Sequence, residues 1–157
     1  MVNKIGLMVV AAAVLGACAA RDVVLEEPQP GDVEDAAARV AAVDWSRAES
    51  VEVRLTEYAF DPRNLTFRAG KPYRLRIENV GTRSHTFVTQ GFFQSIAAKQ
   101  LVGGESAVST PFLKTVAVSP KTVRELTFVA VQPGSYRLEC TVPLHALFGM
   151  VGEITIQ

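Results

Sequence analysis

The sequence predicts an all-β domain, a β-sandwich, over residues 51–157 of a 157-residue chain. Three observations carry this. Apolar residues alternate with polar ones at period two: Val51, Val53 and Leu55 with Glu52, Arg54 and Thr56, then Tyr73, Leu75 and Ile77 with Arg74, Arg76 and Glu78. Turn residues punctuate these runs, at Asp61-Pro62-Arg63-Asn64 and at Ala69-Gly70-Lys71-Pro72. The runs are short and nearly regularly spaced, with no internal repeat, which is the pattern of packed antiparallel sheets.

Taken in order, the chain opens on one positive charge at Lys4, followed by residues 5–17, all apolar or glycine. This stretch is short for a membrane span and has the shape of a secretory signal. It ends Leu15-Gly16-Ala17-Cys18, which resembles the bacterial lipobox. The resemblance implies cleavage after Ala17, a signal peptide over 1–17 and acylation of the Cys18 sulfur. Acyl chains contribute about 0.8 kcal/mol per buried CH2, so two or more anchor a protein stably. The expected location is the bacterial cell envelope, on the periplasmic side of a membrane.

Residues 18–50 read as a flexible acidic tether. Residues 19–50 hold eight Asp and Glu against three Arg, a net of −5, with Pro28, Pro30 and Gly31 and few large apolar side chains. Residues 32–39 suit either one short helix, with Asp32 placed to cap it and Glu34 and Asp35 in its first turn, or a disordered stretch. Trp45 is expected near the domain, covering an edge.

Beyond the first strand, further strands are expected at 65–68, 73–79, 86–88, 114–118, 122–129, 134–140 and from 149 or 150 to 156, and a short helix at 91–100. Residues 51–157 carry eight acids and twelve bases, a net of +4, several of them on early strands: Arg54, Arg63, Arg68, Lys71, Arg74 and Arg76. These suit either a solvated sheet face or a surface that steers toward an acidic redox partner or an anionic membrane surface. The whole chain is formally neutral, and nothing in its charge points to nucleic acid.

The chemistry lies near the C-terminus. Cys140, His145 and Met150 are spaced Cys-x4-His-x4-Met. Soft sulfur donors with imidazole suit copper, and two imidazoles, a thiolate and a weak axial thioether make an electron-transfer copper site. The loop lacks a second His, and the chain has only one other, His85. Met1 and Met8 fall in the signal, so Met150 is the remaining methionine of the mature chain. With one cysteine assigned to acylation and one to the metal, no disulfide is expected.

Cys140-Thr141-Val142-Pro143-Leu144-His145 through Gly149-Met150 resembles the ligand loop of the cupredoxins, the family of azurin, plastocyanin and rusticyanin. Asn79-Val80-Gly81 through His85-Thr86-Phe87 resembles that family's first-histidine segment. Leu144 stands where the family usually has Gly, and Thr86 where azurin and plastocyanin have Asn. The resemblance covers residues 51–157. It implies a Greek-key barrel and one type 1 copper ion held by His85, Cys140, His145 and Met150. It also implies backbone N–H groups of Thr86 and Val142 aimed at the thiolate, with Pro143 supplying none. Leu144, Ala146, Leu147 and Phe148 are expected around His145, either as an exposed docking patch or as a plug of the barrel end.

The function expected from this is a membrane-tethered one-electron carrier that exchanges with haem or copper proteins and works as a monomer. The alternative is a protein for copper storage or delivery. A domain that kept the fold and lost the metal fits less well, because the ligand set is intact. An enzyme is not expected: copper oxidases and nitrite reductases need more histidines than two, and a dinuclear site of the cytochrome oxidase type needs a second cysteine in this loop. Zinc rarely takes methionine.

Overall fold

The computed structural model describes residues 23–25, 29–89, 91–104 and 113–157. The signal peptide and Cys18 lie outside these. Among the described residues the elements run β1 (Val23–Leu25), α1 (Ala36–Ala42), β2 (Glu49–Thr56), β3 (Ala59–Asp61), β4 (Asn64–Phe67), β5 (Pro72–Asn79) and β6 (His85–Thr89). They continue with β7 (Ile96–Val102), β8 (Leu113–Val118), β9 (Val123–Ala130), β10 (Gly134–Glu139) and β11 (Val151–Ile156). The class is the expected one: two sheets, ordered β1-β8-β6-β10-β11-β4 and β3-β2-β5-β9-β7.

The alternation in β5 shows how sequence becomes sandwich. Tyr73, Leu75, Ile77 and Asn79 point inward and are buried, while Arg74, Arg76 and Glu78 face out. Facing residues from the other sheet include Leu65, Phe87, Leu138 and Ile154, all in one core cluster. Aromatic edges lock its centre: Phe67 meets Tyr73 at 4.8 Å and Phe128 at 5.2 Å between ring centroids. Each such ring contributes about 1.5–3 kcal/mol by leaving water, and edge-to-face contact adds about 0.5–1.5 kcal/mol.

The expected helix over 91–100 is not formed. Phe93–Ser95 makes a single 3-10 turn, and Ile96–Val102 is strand β7, paired with β9. Alternation fails there for a physical reason. Ile96, Ala97 and Ala98 are all buried, because the sheet is covered on both faces at this point. The second cover is the N-terminal segment: Ala97 and Val129 pack with Val33, Ala36, Val40, Val43 and Trp45. Alanine at 97 leaves room for that layer.

The N-terminal helix also begins later than expected. It starts at Ala36 rather than near Asp32, and Asp35 stands at its N-cap with a left-handed backbone (φ 58°) and no capping bond from its side chain. Asp32 instead accepts the Gln29 N–H at 2.6 Å. Val33 is drawn off into the apolar layer and donates its N–H to the Gln94 carbonyl at 3.1 Å. The segment read as a flexible tether is therefore attached to the domain from residue 29 onward, and β1 pairs with β8. Trp45 does cover the domain: its Nε1–H donates to the Val40 carbonyl, Arg74 donates to the Trp45 carbonyl, and Lys99 lies 4.6 Å above the indole ring.

Three of the six early bases are neutralised in place. Arg54 pairs with Glu52, Arg76 with Glu52 and Glu78, and Lys71 with Glu49, all near the surface. Such exposed pairs add little to stability. They make the face a mixed-charge solvated surface rather than a one-sign field.

Candidate metal centre

The site sits where two loops meet at one end of the sandwich. The first loop joins β5 to β6 and is held by Asn79, a buried polar residue. Its Nδ2–H2 donates to the carbonyls of Arg83 (2.7 Å) and Val118 (2.8 Å), and its Oδ1 accepts the Gly81 N–H at 2.9 Å. All the bonds this amide makes run to backbone, so it fixes the chain on either side of the turn. His85 follows as the first residue of β6, opposite Val118 of β8.

The second loop closes a hairpin. β10 and β11 pair with Glu139 opposite Val151, so Cys140 and Met150 face each other on the next rung. Cys140 donates its N–H to the Met150 carbonyl at 3.2 Å, and Met150 donates to the His145 carbonyl at 3.0 Å. Inside, His145 donates to Val142 and Phe148 to Leu144. The loop is a self-bonded turn on a rigid hairpin.

Three of the four expected ligands converge. His85 Nδ1 and His145 Nδ1 are 3.2 Å apart, and Cys140 Sγ lies 3.9 Å and 3.5 Å from them. All three residues are buried. Edges of this length are what nitrogen and sulfur donors about 2.0–2.3 Å from one first-row ion require. Met150 is fully buried and ends the same loop. The donor set, two imidazoles and a thiol with a thioether at hand, fits one copper ion of the type 1 class. Burial, and then the neighbouring His145, push the His85 imidazole toward its neutral form, the form that ligates. Its other nitrogen, Nε2, is buried with no hydrogen-bond partner, which also disfavours a charged ring.

The thiol has its own donors. Thr86 N–H points at Cys140 Sγ from 3.4 Å, as the resemblance implied, and Thr86 Oγ1 lies 3.6 Å from the same sulfur. Among the described residues, Val142 makes no such bond. Thr86 does a further job: its Oγ1 accepts the Thr141 N–H at 2.8 Å, tying the two ligand loops together.

Two features at the rim escape the sequence patterns. Leu144 has a left-handed backbone, φ 71°, a conformation that favours glycine. That explains in physical terms why a glycine would suit this place. Tyr58 is also left-handed, φ 70°, and its ring stands edge-on to His145 with centroids 5.2 Å apart. The turn holding it, Thr56-Glu57-Tyr58-Ala59, has no Gly, Pro, Asn or Asp to mark it. Leu144 (61%), Leu147 (79%) and Phe148 (58%) are exposed, so they form a patch and not a plug. His145 itself is 3% exposed, so its edge is not open within that patch.

Solved structures with this fold agree with the class. Auracyanin B is 23% identical, with 73% of this chain and 93% of that one aligned at a TM-score of 0.50. A multi-copper oxidase from Pseudomonas thermotolerans is 20% identical over 73% of this chain and 31% of its own, at a TM-score of 0.58. A copper-containing nitrite reductase from Thermus scotoductus is 18% identical over 69% of this chain and 31% of its own, at 0.54. The chain thus spans about a third of the length of those enzymes. No family model and no curated protein matches the sequence. The fold is cupredoxin-like, and the site it carries is a buried His-Cys-His donor set that fits one copper ion.

Proposed function

We propose that this chain is a type 1 copper protein that carries single electrons in a bacterial cell envelope, tethered to a membrane by an acylated Cys18. The observation that carries the copper part is the convergence of His85, Cys140 and His145 in a buried site closed by the Cys140–Met150 rung. Bound copper would supply a one-electron couple. The chain's part would be to hold His85, Cys140 and His145 on rigid elements and to exclude water. Little movement of the ligands between oxidation states favours rapid exchange. Met150 would add a weak thioether donor to that set.

The exposed patch of Leu144, Leu147 and Phe148 beside the site supports docking of a haem or copper redox partner. With two histidines in the whole chain, no second copper centre of the oxidase or reductase kind can be built from it alone, which supports a carrier rather than an enzyme. Copper storage or delivery is the second reading, since it uses the same donors. Burial of all of them favours a retained ion. The anchor rests on Leu15-Gly16-Ala17-Cys18 alone. Among the described residues no helix is long and apolar enough to cross a membrane.

The test is the optical spectrum of the copper-loaded protein. Intense thiolate-to-copper absorption in the visible, at one copper per chain, is expected. A colourless Cu(II) protein at full occupancy would end this reading.

A further inference from the structure

Two neighbouring side chains on one hairpin turn engage the two ligand loops: Glu57 holds the chain just before His85, and Tyr58 meets the His145 ring. The turn joins β2 to β3, with Thr56 opposite Ala59 and only Glu57 and Tyr58 between them. Glu57 turns toward the first ligand loop. Its Oε1 accepts the Thr82 N–H at 2.6 Å, the Thr82 hydroxyl at 3.0 Å and the Arg83 N–H at 3.2 Å. The loop comes so close that a Cβ on Gly81 would lie 2.7 Å from the same oxygen. Arg83 is two residues before His85.

Tyr58 turns the other way. Its ring meets His145 at 5.2 Å and 87°, and Phe148 at 5.0 Å and 59°. The left-handed backbone at Tyr58 is the conformation an L-residue avoids, and here it aims the ring at the imidazole. The result is visible in the burial. His145 is 3% exposed although Leu144, Leu147 and Phe148 around it are 58–79% exposed. The turn has firm footing: Leu55, just before it, accepts the Val80 N–H at 3.0 Å and pairs with Asn79.

We propose that the Glu57-Tyr58 turn is a brace that positions both imidazoles, Glu57 by holding the chain into His85 and Tyr58 by holding and covering the His145 ring. Neither residue is itself a ligand. Both act through the residues they hold. The brace limits how far the two rings move apart, and Tyr58 keeps solvent off His145. The proposal deepens the copper reading and rests on it for its redox consequences, but the bracing belongs to the polypeptide and is measurable without metal.

The experiment uses wild type, Tyr58→Phe, Tyr58→Ala and Glu57→Ala as full chains. In the metal-free proteins, amide hydrogen exchange is followed at 81–85 and 144–150. In the copper-loaded proteins, electron self-exchange and the rate of copper capture by a Cu(I) chelator are measured. Tyr58→Ala should speed capture roughly tenfold or more, the scale seen when a group orienting a metal ligand is lost, and slow self-exchange. Tyr58→Phe keeps the ring and should stay near wild type. Glu57→Ala should raise exchange at 81–85 and, through the shared turn, at 144–150 as well. A fall in melting temperature with capture and self-exchange unchanged would overturn the proposal, as would Glu57→Ala leaving 144–150 untouched. A wild type that binds no coloured copper would end the copper reading, while the metal-free exchange would still decide the brace.

Discussion

The main-chain N–H of Cys140 donates to the carbonyl of Met150 at 3.2 Å, so the first and last residues of the ligand loop are pinned across one hairpin rung. The spacing Cys-x4-His-x4-Met is thus a closed turn, with His145 at its middle and Met150 bonded back to the His145 carbonyl at 3.0 Å. The geometry belongs to the backbone, so a conservative change of the thiol should leave it standing. Cys140→Ser is expected to abolish visible absorption while the protein still folds, because serine is close in size to cysteine and the loop is closed by backbone bonds. Far-ultraviolet dichroism and the visible spectrum of one sample check both halves. Retained colour would disprove the thiolate assignment.

Leu144 offers a test of strain. Its left-handed backbone costs about 1–2 kcal/mol relative to an ordinary conformation. Its side chain is 61% exposed, so little packing is lost on removal. Glycine would relieve the strain but adds freedom to the unfolded chain, costing about 0.4–1 kcal/mol. Leu144→Gly should therefore be neutral to stabilising, by up to about 1 kcal/mol. Leu144→Val should destabilise, since branching at Cβ worsens the clash. Melts of the metal-free proteins decide it, and a clear loss of stability in the glycine variant contradicts the strain.

Glu57 sets a pH window. Hydrogen bonds from the Thr82 N–H first, together with the Thr82 hydroxyl and Arg83 N–H, pull its carboxyl from 4.5 down to about 2. A carboxyl whose folded value is depressed contributes stability above its unfolded value and loses it as pH falls through the folded one. The gap in melting temperature between wild type and Glu57→Gln should be full above about pH 4.5 and close toward pH 2. The carboxylate is exposed, so the gap is modest. A gap that stays constant over that range would mean the charge is irrelevant.

Much of this was legible in the sequence, and the failures have one cause. β5 faces the core on one side and water on the other, so its period of two shows. β7 is covered on both sides, so Ile96-Ala97-Ala98 shows no alternation and reads as a helix. The layer that covers it comes from residues 33–45, whose small apolar side chains and acidic charges read as a tether. The ligands were legible because thiol, imidazole and thioether are rare and clustered. Glu57 and Tyr58 were not, because their effect on the site comes from tertiary placement. Ala97→Leu tests the explanation. It would overfill the contact between β7 and α1, costing about 1–3 kcal/mol. Protease cleavage within 36–47 should then appear in the variant before it appears in wild type. Unchanged protection would mean that α1 does not need the small residue.

The axial position separates a carrier from a delivery protein. Met150 is fully buried at the end of the loop, and its backbone, not its sulfur, closes the hairpin. Its side chain can therefore be changed without opening the site. Met150→Gln and Met150→Leu should both keep bound copper and colour. A thioether is soft and favours Cu(I), so an amide oxygen in its place should lower the reduction potential by stabilising Cu(II). Leucine leaves three donors in a drier setting and should raise it. The buried His85, Cys140 and His145 triangle would hold the metal in either case. Voltammetry of the three proteins gives the order Leu above wild type above Gln. On the wild type, electron self-exchange should also outpace copper loss to a Cu(I) chelator under reducing conditions. Rapid copper loss with sluggish self-exchange would reverse the ranking and make delivery the better account, and loss of copper from both Met150 variants would show that the weak ligand is holding the ion.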